Sequence, residues 1–198
     1  MLRRLALATV IALSLLMPTI ARAQSSAELI FVDLDAYWAA QFAERGIPYS
    51  SPNFKVVDAP GIEFCAGLDV FYSVAGYCSV NNTISVSSGI ADPNAVNVAL
   101  TLLSHEFGHH IQNLTDTGIS SAIESELQAD CFAGAFIQYA TESDWVSPVI
   151  GALALQLTQS AGDVWWMVPW DEAIHGTQSD RAQAFLAGQN GGLAACGF

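Results

Sequence analysis

One stretch constrains this chain more than any other: Leu102 to Gln112, which reads Leu-Leu-Ser-His-Glu-Phe-Gly-His-His-Ile-Gln. It holds three of the four histidines of the chain, and His105 and His109 are four positions apart, with Glu106 directly after the first. In an α-helix, side chains at this spacing lie on one face about one turn apart, so both imidazoles can share a metal ion. The carboxylate can then take a proton from water at an open zinc position. The stretch therefore predicts a helix with a zinc site, in the His-Glu-x-x-His arrangement of zinc metalloproteases.

The residues before this motif favour a helix that runs through it. Asp92 and Pro93 fit the N-cap and the first position of a helix. Apolar residues then lead directly into the motif: Val96, Val98, Ala99, Leu100, Leu102 and Leu103. A short pattern can occur by chance, but a chance match would seldom lie in such a context. His110 is about 100° around the helix from His109, so we expect a structural or surface residue there rather than a ligand.

A second helix is predicted to supply the third zinc ligand. It opens at Ser121 with Glu124 three positions later, which is the pattern of a capping box. Glu126 and Asp130 are four positions apart on one face of this helix, in a stretch that is otherwise apolar. A metal site explains both carboxylates, with Glu126 as the third ligand and Asp130 as the acceptor for the other ring nitrogen of a ligand histidine. The alternative is a solvated acidic face, which is our interpretation of Glu124.

Two motifs of this chain occur together in a known family. They are His-Glu-Phe-Gly-His-His-Ile-Gln at 105–112 and Glu-Leu-Gln-Ala-Asp-Cys-Phe-Ala-Gly at 126–134, and weaker matches in the same order cover nearly all of residues 24–198. With these motifs the chain resembles the bacterial neutral zinc metallopeptidase family, which is similar to the thermolysin-like gluzincins. The resemblance implies the zinc ligands His105, His109 and Glu126. It also implies Glu106 as the catalytic base and Asp130 as the residue that accepts a hydrogen bond from the other ring nitrogen of a ligand histidine.

His175 is a candidate for a further catalytic role. Hydrolysis of a peptide bond builds negative charge on the carbonyl oxygen, and a histidine, tyrosine or arginine donor can stabilise that charge. His175 lies outside the metal helix and precedes a third predicted helix, capped at Thr177 and ending at Gly188. A single histidine is commonly structural, and Arg181 and Tyr77 are alternative donors.

Residues 1–23 are predicted to be a signal peptide. Arg3 and Arg4 precede an apolar run at 5–17, and Ala21-Arg22-Ala23 has the pattern of a cleavage site. The alternative is an uncleaved anchor, and both place the folded part outside the cytoplasm. Without the three arginines of this segment, three basic residues face nineteen acidic ones, so the net charge falls from −13 to −16. A surface this acidic repels nucleic acid and anionic lipid, so we expect neither nucleic acid nor, after cleavage, the membrane as a partner.

Residues 24–198 are predicted to form a single exported domain, periplasmic or secreted, of α+β class and zincin-like fold. Helices should dominate, beginning with one at 29–45. A short strand at 54–57 and a β-hairpin at 77–87, with Val80, Ile84 and Val86 turned inward, precede the metal helix. The second hairpin strand either offers its edge to an extended peptide substrate or is an ordinary sheet strand.

The four cysteines predict two disulfides, because an even number in an exported protein forms a disulfide framework. They are Cys65, Cys78, Cys131 and Cys196. Of three possible pairings we favour Cys65 with Cys78, which closes a short loop, and by elimination Cys131 with Cys196. A cysteine-rich zinc site is disfavoured, since no two of them have the short gap that such sites use.

Together these features predict an exported zinc-dependent peptidase. It would hold one zinc ion per chain, act on a peptide or protein, and use Glu106 as general base. Two alternatives remain: a zinc-stabilised binding or chaperone-like module that does not cut, and a hydrolase of cell-wall amides. Glu106 counts against the first, because structural zinc sites use four protein ligands and need no base.

Overall fold

The computed structural model describes residues 25–58, 65, 74–115, 119–163 and 175–198. Within these ranges the chain is of α+β class and helices dominate, as the sequence predicts. The helices are α1 (Ser26–Glu44), α2 (Val96–Leu114), α3 (Ala122–Glu142), α4 (Pro148–Ser160) and α5 (Gln178–Ala195). The strands are β1 (Asn53–Val57), β2 (Ala75–Cys78) and β3 (Thr83–Ser87). The predicted signal peptide, residues 1–23, lies outside the described residues.

Helix α2 carries the metal motif and packs against α1, α3, α4 and the sheet. It follows a 3-10 turn, Pro93–Ala95, in which the Asp92 carboxylate accepts a hydrogen bond of 2.8 Å from the backbone N–H of Asn94. The predicted helix start is thus confirmed, with one 3-10 turn before α2. The buried face of α2 includes Leu103, Phe107 and Ile111.

Helices α2 and α3 cross closely at Gly108. A Cβ atom at Gly108 would lie 2.7 Å from Cα and 2.9 Å from the carbonyl oxygen of Ala129, which is closer than carbon atoms normally pack. Only glycine therefore fits at this separation. Glu126 precedes Ala129 by about one turn, so the close crossing brings the acidic face of α3 to the histidines of α2.

Helices α3 and α5 pair even more closely, at Gly134 and Gly188. A Cβ at Gly188 would overlap the carbonyl oxygen of Cys131. The predicted end of the third helix at Gly188 is therefore wrong: this glycine serves a contact between helices, and α5 continues to Ala195. The predicted cap is confirmed, because Thr177 and Asp180 form a capping box at the start of α5.

The three strands form one sheet in the order β1-β3-β2. β1 runs parallel to β3, with Asn53 opposite Thr83, and β2 runs antiparallel to β3, with Cys78 opposite Thr83. The predicted hairpin is thus confirmed. Of the two alternatives for its second strand, the free edge is wrong and the ordinary sheet strand is confirmed, because β3 is the central strand and is paired on both edges.

The inward residues of the hairpin are only partly as predicted. Ile84 and Val86 are fully buried in β3, where they join the hydrophobic core. Val80 is 74% exposed, so the prediction that it turns inward is wrong. The reason is that β2 ends at Cys78, and Val80 lies in the turn between the strands.

Both predicted disulfides are present. Cys65 is bonded to Cys78 on β2, and Cys131 on α3 is bonded to Cys196 at the C-terminal cap of α5. The second bond fastens the two helices that already touch at Gly188. Among the described helices, none is both long and apolar enough to cross a lipid bilayer.

Candidate metal centre

Three side chains from two helices converge on one point. Nε2 of His105 lies 3.1 Å from Nε2 of His109 on the same face of α2. The carboxylate of Glu126 on α3 reaches both rings, with Oε2 3.2 Å from Nε2 of His105 and Oε1 3.3 Å from Nε2 of His109. This group could hold a metal ion.

The spacing of these atoms fits a tetrahedral site. Ligand bonds of about 2.0–2.1 Å place neighbouring ligand atoms about 3.3 Å apart. The observed separations of 3.1, 3.2 and 3.3 Å agree with that value. Lone pairs on ring nitrogens and carboxylate oxygens repel at such distances unless a proton or a cation lies between them. Two imidazoles and one carboxylate also leave a fourth coordination position free.

His105 is oriented by a buried ion pair. Its Nδ1 lies 2.8 Å from Oδ1 of Asp130, a residue that is 1% exposed. Arg181 forms a bidentate ion pair with the same carboxylate: Nε donates to Oδ2 at 2.6 Å and Nη2 donates to Oδ1 at 2.7 Å. Because a carboxylate only accepts, Nδ1 of His105 must donate its proton to Asp130. Nε2 is then the ring nitrogen that faces the metal position.

The charges of the centre reinforce one another. Burial lowers the pKa of His105, but hydrogen bonds to Asp130 and Glu126 outweigh burial and raise that pKa to about 10. Burial raises the pKa of Glu126, but hydrogen bonds to His105 and His109 outweigh it and hold the pKa well below its usual range. Glu126 therefore stays a carboxylate. A metal ion at Nε2 of His105 must displace a proton, so acid weakens binding.

His109 is oriented by an amide rather than by a carboxylate. Its Nδ1 lies 3.0 Å from Oε1 of Gln112, the residue three positions later on α2. Gln112 in turn donates from Nε2 to the carbonyl oxygen of Ser125 at 2.7 Å. The hydroxyl of Ser125 donates to Oε1 of Gln112 at 2.9 Å. The two histidines thus have different supports, one charged and one neutral.

Glu106 is a buried carboxylate beside this group. It is 7% exposed. Burial lowers the pKa of His105 and of Arg181, hydrogen bonds to Asp130 raise both pKa values, and the negative charge of Glu106 adds a smaller rise. Within the part of the chain that the structure describes, no hydrogen bond or ion pair holds its carboxylate. A carboxylate beside a metal site is of the type that acts as a general base.

His175 has a different neighbour. Its Nδ1 lies 3.2 Å from Oδ1 of Asp163, and its backbone N–H donates to Oδ2 of the same carboxylate at 2.8 Å. Its side chain is 41% exposed. Its described contacts do not include the His105, His109 and Glu126 group, so its role as a donor to the oxyanion stays a prediction.

His110 is structural, as predicted. It is fully buried, with Nε2 3.0 Å from the carbonyl oxygen of Ser50 and Nδ1 3.4 Å from the hydroxyl of Tyr77. Burial lowers its pKa to about 4, so the ring is neutral near pH 7. His110 thereby connects the segment before β1 to α2, on a different face of the helix from His105 and His109.

Sequence reasoning missed two parts of this centre. Gln112 and Ser125 were not predicted to contribute, although a glutamine three positions after a ligand histidine is within reach on a helix. Arg181 was considered as a donor to substrate. Its guanidinium pairs with Asp130, and its Nη2 lies 3.4 Å from Nδ1 of His105 and 3.8 Å from Oε2 of Glu126, contacts that the sequence did not predict.

Comparisons with known proteins assign no activity. No family model matches the chain, and no solved structure matches it. Similar curated proteins include uncharacterized proteins of Mycobacterium bovis and of two strains of Mycobacterium tuberculosis, each 38% identical over 50 residues. The match covers 20% of this chain and 17% of the length of those relatives. A functional assignment must therefore come from the geometry of the metal centre.

Proposed function

We propose that this protein is an exported zinc-dependent peptidase of zincin-like fold, with one zinc ion per chain and a peptide or protein as substrate. The observation that carries the proposal is Glu106. A buried carboxylate normally has a hydrogen-bond partner, and Glu106 has none among the described residues. Because Glu106 directly follows His105 in the sequence, its carboxylate can serve as the general base for a water molecule at the metal position.

The donor set favours zinc over harder cations. His105, His109 and Glu126 would hold it, and imidazole nitrogens suit zinc better than magnesium or calcium. Bound zinc supplies a Lewis acid that polarises a carbonyl and lowers the pKa of water. Asp130 and Arg181 hold His105 in the orientation that points Nε2 at the metal position.

The remaining chemistry belongs to the chain itself. A carboxylate oxygen of Glu106 accepts a proton from the water that adds to the peptide carbonyl carbon. Glu106 then returns this proton to the peptide nitrogen as the carbon–nitrogen bond breaks, so the carboxylate is regenerated and the amine leaves neutral. His175 is one candidate donor to the carbonyl oxygen while negative charge builds there, and Tyr77 and Arg181 are the others.

The proposal is tested by zinc content and casein cleavage in the purified protein and two variants. Glu106→Gln keeps the size of the side chain but removes the base. Glu124→Gln is the matched control, because Glu124 is an exposed carboxylate on α3 outside the metal centre. We expect about one zinc per chain in all three proteins, and a loss of activity of about 10²–10⁴-fold in Glu106→Gln alone. A chelator should abolish the activity of the parent protein, and added zinc should restore it.

Other results would point elsewhere. A parent protein that binds zinc but cleaves neither casein nor peptidoglycan would identify a binding module that does not cut. Cleavage of peptidoglycan but not of casein would identify an amide hydrolase of the cell wall. A parent protein without metal would overturn the proposal at its base.

A further inference from the structure

We propose that Gln112 is a positioning residue of the metal centre: it sets the ring tautomer of His109 and links that ring to the backbone beside Glu126. This inference deepens the proposed function and rests on metal binding by His105, His109 and Glu126. It concerns the support of the second histidine, which the motifs alone do not define.

The orientation of the Gln112 amide is fixed by its surroundings. The carbonyl oxygen of Ser125 can only accept, and it lies 2.7 Å from one end of the amide. That end must therefore be the NH₂ group, and the opposite end is the oxygen. The Ser125 hydroxyl, 2.9 Å from this oxygen, can donate to it and so agrees with the same orientation.

The amide orientation determines the tautomer of His109. The oxygen of Gln112 lies 3.0 Å from Nδ1 of His109, and an amide oxygen cannot donate. Nδ1 must therefore carry the proton, which leaves the lone pair of Nε2 directed at the metal position. Among the described residues, the other hydrogen-bonding neighbour of Nδ1 is the hydroxyl of Ser125 at 3.5 Å, which can donate as well as accept. Without Gln112, the tautomer would no longer be specified.

Gln112 also joins the two helices that supply the ligands. It lies on α2 with His109, and its NH₂ group bonds to the residue directly before Glu126 on α3. One side chain thus fixes a ligand ring and the backbone next to another ligand. His105 depends on a separate support, the Asp130 carboxylate held by Arg181. The two histidines can therefore be perturbed one at a time.

Zinc affinity is the first test, measured by competition with a chelating dye. Gln112→Met keeps the length of the side chain and removes all three hydrogen bonds of the amide, and we expect affinity to fall about 10- to 100-fold. Gln138→Met is the matched control, since Gln138 is a half-buried glutamine on α3 whose side chain, among the described residues, bonds to Glu142 and not to the metal centre. Its affinity should equal that of the parent. Ser125→Ala keeps the carbonyl partner of Gln112, so its loss should be smaller than that of Gln112→Met.

The second test reads the proton on Nδ1 of His109 and its hydrogen bond to Gln112. In zinc-loaded protein labelled with ¹⁵N-histidine, NMR should show a proton on Nδ1 of both His105 and His109. Zinc at Nε2 keeps Nδ1 protonated in both proteins, but in Gln112→Met the Nδ1 proton of His109 has lost its acceptor, so it alone should exchange rapidly with solvent. The cobalt-substituted variant should also show a changed visible absorption spectrum. A residue that merely held the helices together would change neither signal.

The possible failures are distinguishable. If the parent protein binds no metal, the proposed function falls and this inference falls with it. If the parent binds zinc and Gln112→Met keeps parental affinity, the inference is wrong while the proposed function stands. Loss of affinity with the His109 proton unchanged would equally overturn the role in setting the tautomer.

Discussion

At the scale of single residues, Arg181 is the side chain whose removal we expect to destabilise the folded protein most directly. It pairs with Asp130, which is 1% exposed, through two hydrogen bonds of 2.6 and 2.7 Å. Arg181→Met would remove both of these hydrogen bonds and leave the buried Asp130 carboxylate with His105 as its remaining charged partner among the described residues. Such a loss typically costs about 3–5 kcal/mol, measurable by urea unfolding in the presence of a chelator.

Arg45 provides the control for this prediction. It is exposed, and its guanidinium lies 4.5 Å from the centre of the Phe198 ring. Arg45→Met removes a positive charge of the same kind, but at the surface, and should cost only about 0.5–1 kcal/mol. Equal losses in the two variants would contradict the view that burial makes the Arg181 pair important.

The residues of the centre differ in how far sequence could predict them. The proximity of His105 and His109, and that of Glu126 and Asp130, follow from spacing within one helix, because helix geometry fixes which side chains share a face. The pairing of Arg181 with Asp130 joins residues 51 positions apart and depends on the packing of α3 against α5. Local spacing contains no information about such a pair. The catalytic roles assigned to these residues stay predictions.

At the scale of elements, the crossing of α2 and α3 decides whether the ligands meet. A methyl group at Gly108 would lie 2.7 Å from the Cα of Ala129, and backbone cannot rotate away as a side chain can. We expect Gly108→Ala to lower the free energy of unfolding by about 1–3 kcal/mol. It should also weaken zinc binding, because α3 must move and Glu126 moves with it. Chemical unfolding and dye competition measure the two effects.

Gly151 in α4 is the matched helical glycine. A Cβ there would lie 3.5 Å or more from its neighbours, which is an ordinary contact. Gly151→Ala should therefore leave zinc affinity unchanged and stabilise the helix by up to about 1 kcal/mol. If Gly108→Ala proved as stable as the parent and bound zinc equally well, the close crossing would not be the feature that brings the ligands together.

The elements also mark the limit of local sequence reasoning. Helix starts were predictable because caps are local: Ser121 and Thr177 each accept a hydrogen bond from the backbone three residues later. The end of α5 was not predictable, because glycine commonly ends a helix, whereas Gly188 lies inside α5 at a contact between helices. The central place of β3 was missed for the same reason. Its pairing with β1 joins segments that are distant in sequence, and no turn signals it.

At the scale of the whole molecule, we expect the two disulfides to contribute unequally to the free energy of unfolding. In the chain-entropy description, a cross-link stabilises the fold by restricting the unfolded chain, more so for a longer loop. Cys131 and Cys196 are separated by 65 residues, whereas Cys65 and Cys78 are separated by 13. The expected contributions are about 4 and about 3 kcal/mol, respectively.

The prediction is tested with two double variants, Cys131→Ala with Cys196→Ala and Cys65→Ala with Cys78→Ala. The first should lose more stability in urea unfolding, and both should remain closer to the parent when unfolding is measured under reducing conditions, since reduction removes the same cross-links from the parent. Each pair acts as the control for the other, because the chemical change is the same and only the loop differs. A larger loss from the short loop would mean that contacts around β2, rather than the entropy of the unfolded chain, dominate. If both double variants lose stability, the protein depends on cross-links that persist under oxidising conditions, such as those outside the cytoplasm.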